Sequence, residues 1–303
     1  MGPIVFFGNE KLASGISTAA PLFHALLEAD YEISFVVINQ SEMSGRNKSE
    51  PAIVTSAKAH GVPVLFIHDY EDLIEVIQHS GAKVGILAAY GRIVPQDLID
   101  AFEFGILNIH PSLLPKYRGS TPIETAILNG DDITGVSVMQ LVKKMDAGPL
   151  YGFGEIPLDG DETKQMLYEM LSDLGAQLLL RILPSVLNNT AVPIEQDHPQ
   201  ATFTKQITKT DGIINWKESN IEIERKIRAY SGWPGAKTKI AQKDVEIISA
   251  NLLNYSGTPG KAFKTENNEL AVYCGEGSIL IEKIKPAGKN EMTSGAFLAG
   301  NPI

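Results

Sequence analysis

Gly105-Ile-Leu-Asn-Ile-His-Pro-Ser-Leu-Leu-Pro-Lys-Tyr-Arg-Gly119 is the stretch on which the reading of the first half of the chain turns. Gly105–Ile109 is a short, mostly apolar, strand-like run, and Pro111 and Pro115 stiffen the loop that follows. Residues two apart in a strand share a face, so Asn108 and His110 project from one side of a strand at its carboxyl end. That is where a doubly wound parallel sheet places its ligands.

Working outward, the flanking sequence alternates between two kinds of segment. Ile4–Phe7, Ile33–Ile38, Val62–Phe66, Lys83–Ala88 and Val136–Leu141 are short apolar or β-branched runs. Helical patterns at Ser17–Leu27, Pro51–His60, Tyr70–Gln78, Gln96–Phe102 and Pro122–Leu128 lie between them. Such alternation implies a parallel sheet covered on both faces. A long amphipathic helix from Glu162 to Leu187 closes the domain, with Met166, Leu167, Met170, Leu171, Leu174 and Leu178 at helical spacing as core positions. Residues 1–188 therefore read as a doubly wound, Rossmann-like α/β domain. Residues 189–212, aperiodic and containing Pro193 and Pro199, read as a linker. In 213–303 a strand-like Ile213–Trp216 and a helix at Ile221–Tyr230 precede short strands at Val245–Ala250, Leu270–Cys274 and Ser278–Ile284. Glycine-containing turns separate these, as in a small OB-like β-barrel.

Composition bounds the function. The 303 residues are 44% hydrophobic and 20% charged, ordinary for a globular protein. No apolar run reads as long enough to cross a bilayer, so no membrane partner is expected. Cys274 is the single cysteine, which rules out an internal disulfide and fits a reducing cytoplasm. The net charge of −10 argues against a general nucleic-acid binder unless a local basic patch overcomes it.

The nucleotide and metal motifs are missing. Phe7-Gly-Asn-Glu-Lys-Leu-Ala-Ser-Gly15 is not the G-x-G-x-x-G fingerprint, and there is no phosphate-binding G-x-x-x-x-G-K-[ST] loop. The histidines His24, His60, His68, His79 and His198 are scattered, so no metal site is expected. The run Gly135–Leu141 leads instead to a loop with Asp146-Ala-Gly148. If the two strands are neighbours, Asp146 reaches His110, and amide, imidazole and carboxylate converge in a site suited to acyl transfer. The alternative is turn hydrogen bonds for Asn108 and His110 and a capping role for Asp146.

Asn108-Ile-His110, Ser112-Leu-Leu-Pro115, Arg118-Gly119 and Asp146-Ala-Gly148 together resemble the pattern of the folate-dependent formyltransferases. Ala89-Tyr-Gly-Arg-Ile-Val-Pro95 is similar to the family's folate-loop segment. The resemblance implies 10-formyltetrahydrofolate as donor, with Tyr90, Gly91, Ser112, Leu113, Leu114 and Pro115 around it. It implies Asn108, His110 and Asp146 as the catalytic residues. Gly8-Asn-Glu-Lys11 departs from the family, which has Gly-Thr-Pro followed by Glu or Asp.

Ala201-Thr-Phe-Thr-Lys205, Asp211-Gly-Ile-Ile-Asn-Trp216, Ile227-Arg228 and Trp233-Pro-Gly-Ala236 resemble the family's branch that acts on methionyl-tRNA. So does the ending from Gly288-Lys through Phe297-Leu-Ala-Gly300. This implies methionyl-initiator tRNA as acceptor and a monomeric enzyme of translation initiation. Ser41–Lys48 is similar to the family's Gly-Arg-Gly-Lys loop, with Asn47 in place of the second glycine. Arg46, Lys48, Lys205 and Lys209 are the expected contacts to nucleic acid, extended by Arg225, Lys226, Arg228, Lys237, Lys239 and Lys243. Trp216 and Trp233 are read as core anchors ahead of base-stacking platforms. The other readings are an amino sugar, a small nucleotide amine or water as acceptor, a catalytically silent RNA-binding module, or a nicotinamide-dependent enzyme.

Overall fold

Ile4–Phe7 is buried along its whole length, as a strand covered on both faces must be, and it forms β1 near the middle of a sheet. The computed structural model describes residues 2–9, 19–39, 50–67 and 69–303. The chain forms two units. The first holds the described residues up to Pro122, with Ile133–Pro157 and Leu167–Lys205; the second holds Ile123–Asp132, Leu158–Met166 and Gln206–Ile303.

The strands of the first unit are β1, β2 (Ile33–Asn39), β3 (Val64–Ile67), β4 (Val84–Leu87), β5 (Ile106–His110), β6 (Ile133–Gln140) and β7 (Leu150–Pro157). The helices in chain order are α1 (Pro21–Glu28), α2 (Ala52–Ala59), α3 (Glu71–Ser80), α4 (Gln96–Asp100), α5 (Pro122–Asn129) and α6 (Lys164–Leu187). The sheet order is β3-β2-β1-β4-β5-β6-β7. The first five strands are parallel, and β6 and β7 add antiparallel. The chain winds outward from β1 to β3, returns, and winds the other way from β4, so the carboxyl ends of β1, β4 and β5 flank a switch point. There Gly8 has φ 113°, and a Cβ on it would lie 2.0 Å from the Ala88 carbonyl oxygen, so only glycine lets the two strand ends approach. Below them Phe7 meets Tyr90 and Phe102 edge-on, with centroids 5.7 and 6.0 Å apart.

β7 escapes the sequence reading. Its glycines serve α6: a Cβ on Gly154 would lie 2.9 Å from Leu174, and one on Gly152 would lie 3.1 Å from Ile182. Gly175 returns the fit, with Ile109 of β5 3.1 Å from its virtual Cβ. Contrary to expectation, α6 is long and apolar enough, by length and composition, to cross a bilayer. Leu167, Leu171, Leu178, Leu179 and Leu183 are buried in the fold, whereas Met166 and Met170, expected in the core, are exposed.

In the second unit, α7 (Asn220–Ala229) starts at a capping box in which Ser219 and Glu222 exchange side-chain and backbone hydrogen bonds. Around it β8 (Ala236–Ile240), β9 (Lys243–Leu253), β10 (Ala262–Lys264), β11 (Leu270–Tyr273) and β12 (Ser278–Pro286) form an antiparallel sheet. The order is β10-β11-β12-β9-β8, with β13 (Met292–Thr293) beside β12 and α8 (Ser294–Gly300) last. The sheet is curled into an OB-like half-barrel over Ile223, Ile227, Val245, Ile247, Ile279, Ile281 and Phe297. Ile213–Trp216 is not a strand. It makes one parallel bridge, Ile213 to Lys237, because Asn215 Oδ1 accepts the Lys217 N–H and turns the chain.

Candidate active site

β5 carries the polar pair into the core: Asn108 is 7% exposed and His110 5%. Asn108 sits opposite Leu87 of β4 and Met139 of β6, and His110 sits opposite Ser137. The two strands that lead to Asp146 and His110 are thus neighbours. His110 Nε2 lies 3.0 Å from the Tyr117 carbonyl oxygen. A carbonyl only accepts, so Nε2 carries the proton of that hydrogen bond. Nδ1 then faces Asp146, 3.9 Å from Oδ2. Tyr117, and not Asp146, makes the hydrogen bond that orients the ring.

Asp146 has φ 47°, a left-handed conformation that costs free energy in a non-glycine residue. Its Oδ2 accepts the Gly119 N–H at 2.7 Å. The Asn108 side chain makes no hydrogen bond within the described residues, although the residue is almost wholly buried. Its amide is not among the fully buried polar atoms that lack a partner, so it keeps some access to solvent at the end of β5.

The Ser112–Pro115 loop is a stiffened wall. Ser112 donates from its hydroxyl to Lys116 O at 2.6 Å, and Ser137 Oγ donates to Ser112 O at 2.8 Å while accepting the Leu114 N–H at 3.1 Å. Ser112 and Leu114 are buried, and Leu113 is part-exposed. At the end of β4, Tyr90 is buried and Gly91 is exposed, with φ 74° and open space around its virtual Cβ. The Tyr90 hydroxyl lies beside that of Tyr70 without reaching a hydrogen-bonding geometry; burial, then Tyr70, pushes its pKa up.

Arg118, Gln196 and His198 complete this region. Arg118, 1% exposed, donates from Nε and Nη2 to Gln196 Oε1 at 3.2 and 2.6 Å, and from Nη2 to His198 Nδ1 at 2.9 Å. Burial lowers its pKa and the charge of Asp146 opposes that. Arg118 belonged to a quoted motif, but nothing in the aperiodic 189–212 segment marked Gln196 or His198. Next to them, residues 202–205 run along 117–121. Arg118 N–H donates to Thr202 O at 2.9 Å, Thr204 N–H to Arg118 O at 2.8 Å, and Thr121 Oγ1 to Lys205 O at 2.8 Å.

Arg46 and Lys48 lie outside the described residues, as do Glu10 and Lys11 of the atypical segment. Lys205 and Lys209 are exposed. The basic residues of α7 are committed elsewhere: Arg225 to the Asn129 carbonyl at 3.2 Å, Lys226 to Glu218 at 2.8 Å and Arg228 to Glu224 at 2.5 Å. Lys239 lies 3.7 Å from Asp244. Trp216 donates from its indole to Thr238 Oγ1 at 2.9 Å, and the Trp233 carbonyl accepts from Lys164 at 2.8 Å. Among the described residues, no group of three or more His, Cys, Asp or Glu is placed to hold a metal ion.

Residues 12–183 match the family described as formyl transferase, and residues 206–302 match its C-terminal domain. A methionyl-tRNA formyltransferase from Nitratidesulfovibrio vulgaris is 34% identical over 309 residues, spanning 98% of this chain and 92% of its own. One from Roseiflexus castenholzii is 36% identical over 303 residues, spanning 98% and 95%. Among solved structures, HypX from Aquifex aeolicus in complex with tetrahydrofolic acid has a TM-score of 0.68 and 17% identity, over 98% of this chain and 47% of that one. The present chain thus spans about half of HypX, and a likeness at that identity is one of fold.

Proposed function

The chain belongs to the methionyl-tRNA formyltransferase family, and from that premise we propose that it transfers the formyl group of 10-formyltetrahydrofolate to the amino group of methionyl-initiator tRNA, with Asn108, His110 and Asp146 as catalytic residues. The observation that carries this reading is the Asn108 amide at the end of β5, without a hydrogen bond among the described residues and two residues from a histidine whose Nδ1 faces a carboxylate.

The donor supplies the formyl carbon and a nitrogen that departs from it, taking up a proton in exchange for the one the attacking amine gives up. As the amine adds to that carbon, negative charge develops on the formyl oxygen. Asn108 donates to that oxygen and cannot titrate, so the donor is constant with pH. His110 keeps its Nε2 proton on the Tyr117 carbonyl, so proton exchange is confined to Nδ1. The neutral ring presents a lone pair there and the charged ring an N–H. Asp146, with Oδ2 held by Gly119, can receive the proton of the attacking amine directly or through water.

The residues around the switch point fit a folate. Gly91 leaves open space, and Leu113 offers apolar surface to a flat ring. Buried Tyr90, Ser112 and Leu114, with half-buried Pro115, support that surface. Arg46, Lys48, Lys205 and Lys209 serve phosphates of the acceptor; the last two are exposed. A reaction on initiator tRNA belongs with translation in the cytoplasm. One chain carries every named residue, which is the basis for proposing a monomer.

The test offers formyl-labelled donor with methionyl-initiator tRNA, an uncharged tRNA, an amino-sugar nucleotide and no acceptor. Label on the methionyl amine alone is the expected result. Release of folate with label on the amino sugar or in formate would replace the proposed acceptor.

A further inference from the structure

We propose that Gln196 is a positioning residue for Asp146, a reading that rests on the catalytic role proposed for that aspartate. Gln196 is 6% exposed, and the whole hydrogen-bonding capacity of its amide is used. Oε1 accepts twice from Arg118, at 3.2 and 2.6 Å. Nε2 donates to the carbonyls of Asp146 at 3.0 Å and Gly148 at 2.7 Å. One side chain thus ties the loop bearing the carboxylate to the loop bearing Arg118 and Gly119.

The loop needs such a tie. Asp146 is left-handed, a state that persists only where its surroundings over-determine it. Gly148 fixes one side, since a Cβ there would lie 1.8 Å from the Gln140 carbonyl oxygen. Gln196 fixes the carbonyls at both ends of the Asp146–Gly148 turn. Arg118 anchors the glutamine in its turn, held by His198 and by backbone pairing with Thr202 and Thr204. The requirement is specific to an amide: an acceptor toward the guanidinium, two donors toward the carbonyls.

Gln196→Glu separates these tasks. The carboxylate still accepts from Arg118 but sets an oxygen against two carbonyls, so the Asp146 turn loses its clamp. A displacement of about 1 Å in a reacting group can cost about 100-fold in rate. The expected result is kcat lower by about 10- to 100-fold, with KM for both substrates within about twofold. In an Asp146→Asn background the same substitution then adds little, because residues acting as a unit are non-additive. Wild-type kcat for Gln196→Glu, or an equal fold-loss in both backgrounds, overturns the proposal. Wild-type turnover by Asp146→Asn alone overturns the catalytic role first, and this proposal with it. Should Gln196→Glu not fold, Gln196→Asn, which keeps the amide and changes only its reach, is read against the same outcomes.

Discussion

His110 is anchored through Nε2 to the carbonyl oxygen of Tyr117, at 3.0 Å within a buried strand end. That leaves Nδ1 as the only ring nitrogen free for chemistry, 3.9 Å from Asp146. His110→Gln places an amide nitrogen where Nε2 lies and nothing where Nδ1 lies. It is expected to melt near the wild type while turnover falls about 100-fold or more. His110→Asn, whose amide falls nearer Nδ1, should recover part of the rate at some cost in stability. Steady-state kinetics and thermal melts on the two variants check this, and a fast His110→Gln would show that Nε2 is the working nitrogen.

Gly135 is required by packing. A Cβ there would sit 2.0 Å from the Gly154 carbonyl oxygen and 2.5 Å from Leu113. The first contact is with backbone and cannot swing aside. Gly135→Ala is expected to destabilise by about 1–3 kcal/mol, read as a lower denaturant midpoint. Because it displaces Leu113, it should also raise KM for the formyl donor more than KM for the acceptor. An unchanged midpoint would mean that β6 and β7 are less tightly paired than described.

Glu124 gives the second unit a pH dependence of unusual sign. It is 1% exposed, Oε1 lies 3.9 Å from the equally buried Lys164, and Oε2 has no partner within the described residues. Burial pushes its pKa from 4.5 to about 7, against a smaller lowering by a backbone hydrogen bond and by Lys164. Between those values the folded state binds more protons than the unfolded one, so its contribution is full below pH 4.5 and is lost as pH rises to about 7. Lys164, held below its ordinary range by burial, acts with the opposite sign in the alkaline range, and Tyr230 nearby is pushed up to about 12. Glu124→Gln removes only the first effect. Its melting temperature relative to wild type should climb between pH 4.5 and 7; a flat difference would place the carboxyl near its ordinary value.

Cys274 is 2% exposed, and burial pushes its thiol up to about 11. A thiol-specific reagent at neutral pH should leave the native protein unlabelled and react once denaturant unfolds it. Rapid labelling of native protein would mean that the half-barrel opens readily around β11 and β12.

What could be read in advance follows from where the signal lies. β1, β2 and β4 are buried on both faces and stand out as continuous apolar runs, and the period of two put Asn108 and His110 on one side of β5. β7 was illegible because Gly152 and Gly154, chosen to admit α6, break its apolar alternation. β8 carries exposed Lys237 and Lys239 and is mostly polar. Glu224 lies four residues before Arg228, but the sequence alone reads the charges of α7 as a basic track, because pairing depends on neighbours such as Glu218 and Asn129 as well as on spacing. Gln196 acts through a side chain on Arg118, 78 residues away. No local pattern distinguishes it from a linker glutamine.

The most direct test of the central claim is single-turnover formylation of methionyl-initiator tRNA at saturating 10-formyltetrahydrofolate, with wild type and Asn108→Ala side by side. Since the Asn108 amide has no partner within the described residues, the variant should fold with little or no loss of stability. Removing an oxyanion donor costs about 100- to 1,000-fold in rate, and a loss of that size is the predicted result. A well-folded Asn108→Ala that formylates at the wild-type rate would contradict the account, because the end of β5 would then not be where the charge develops.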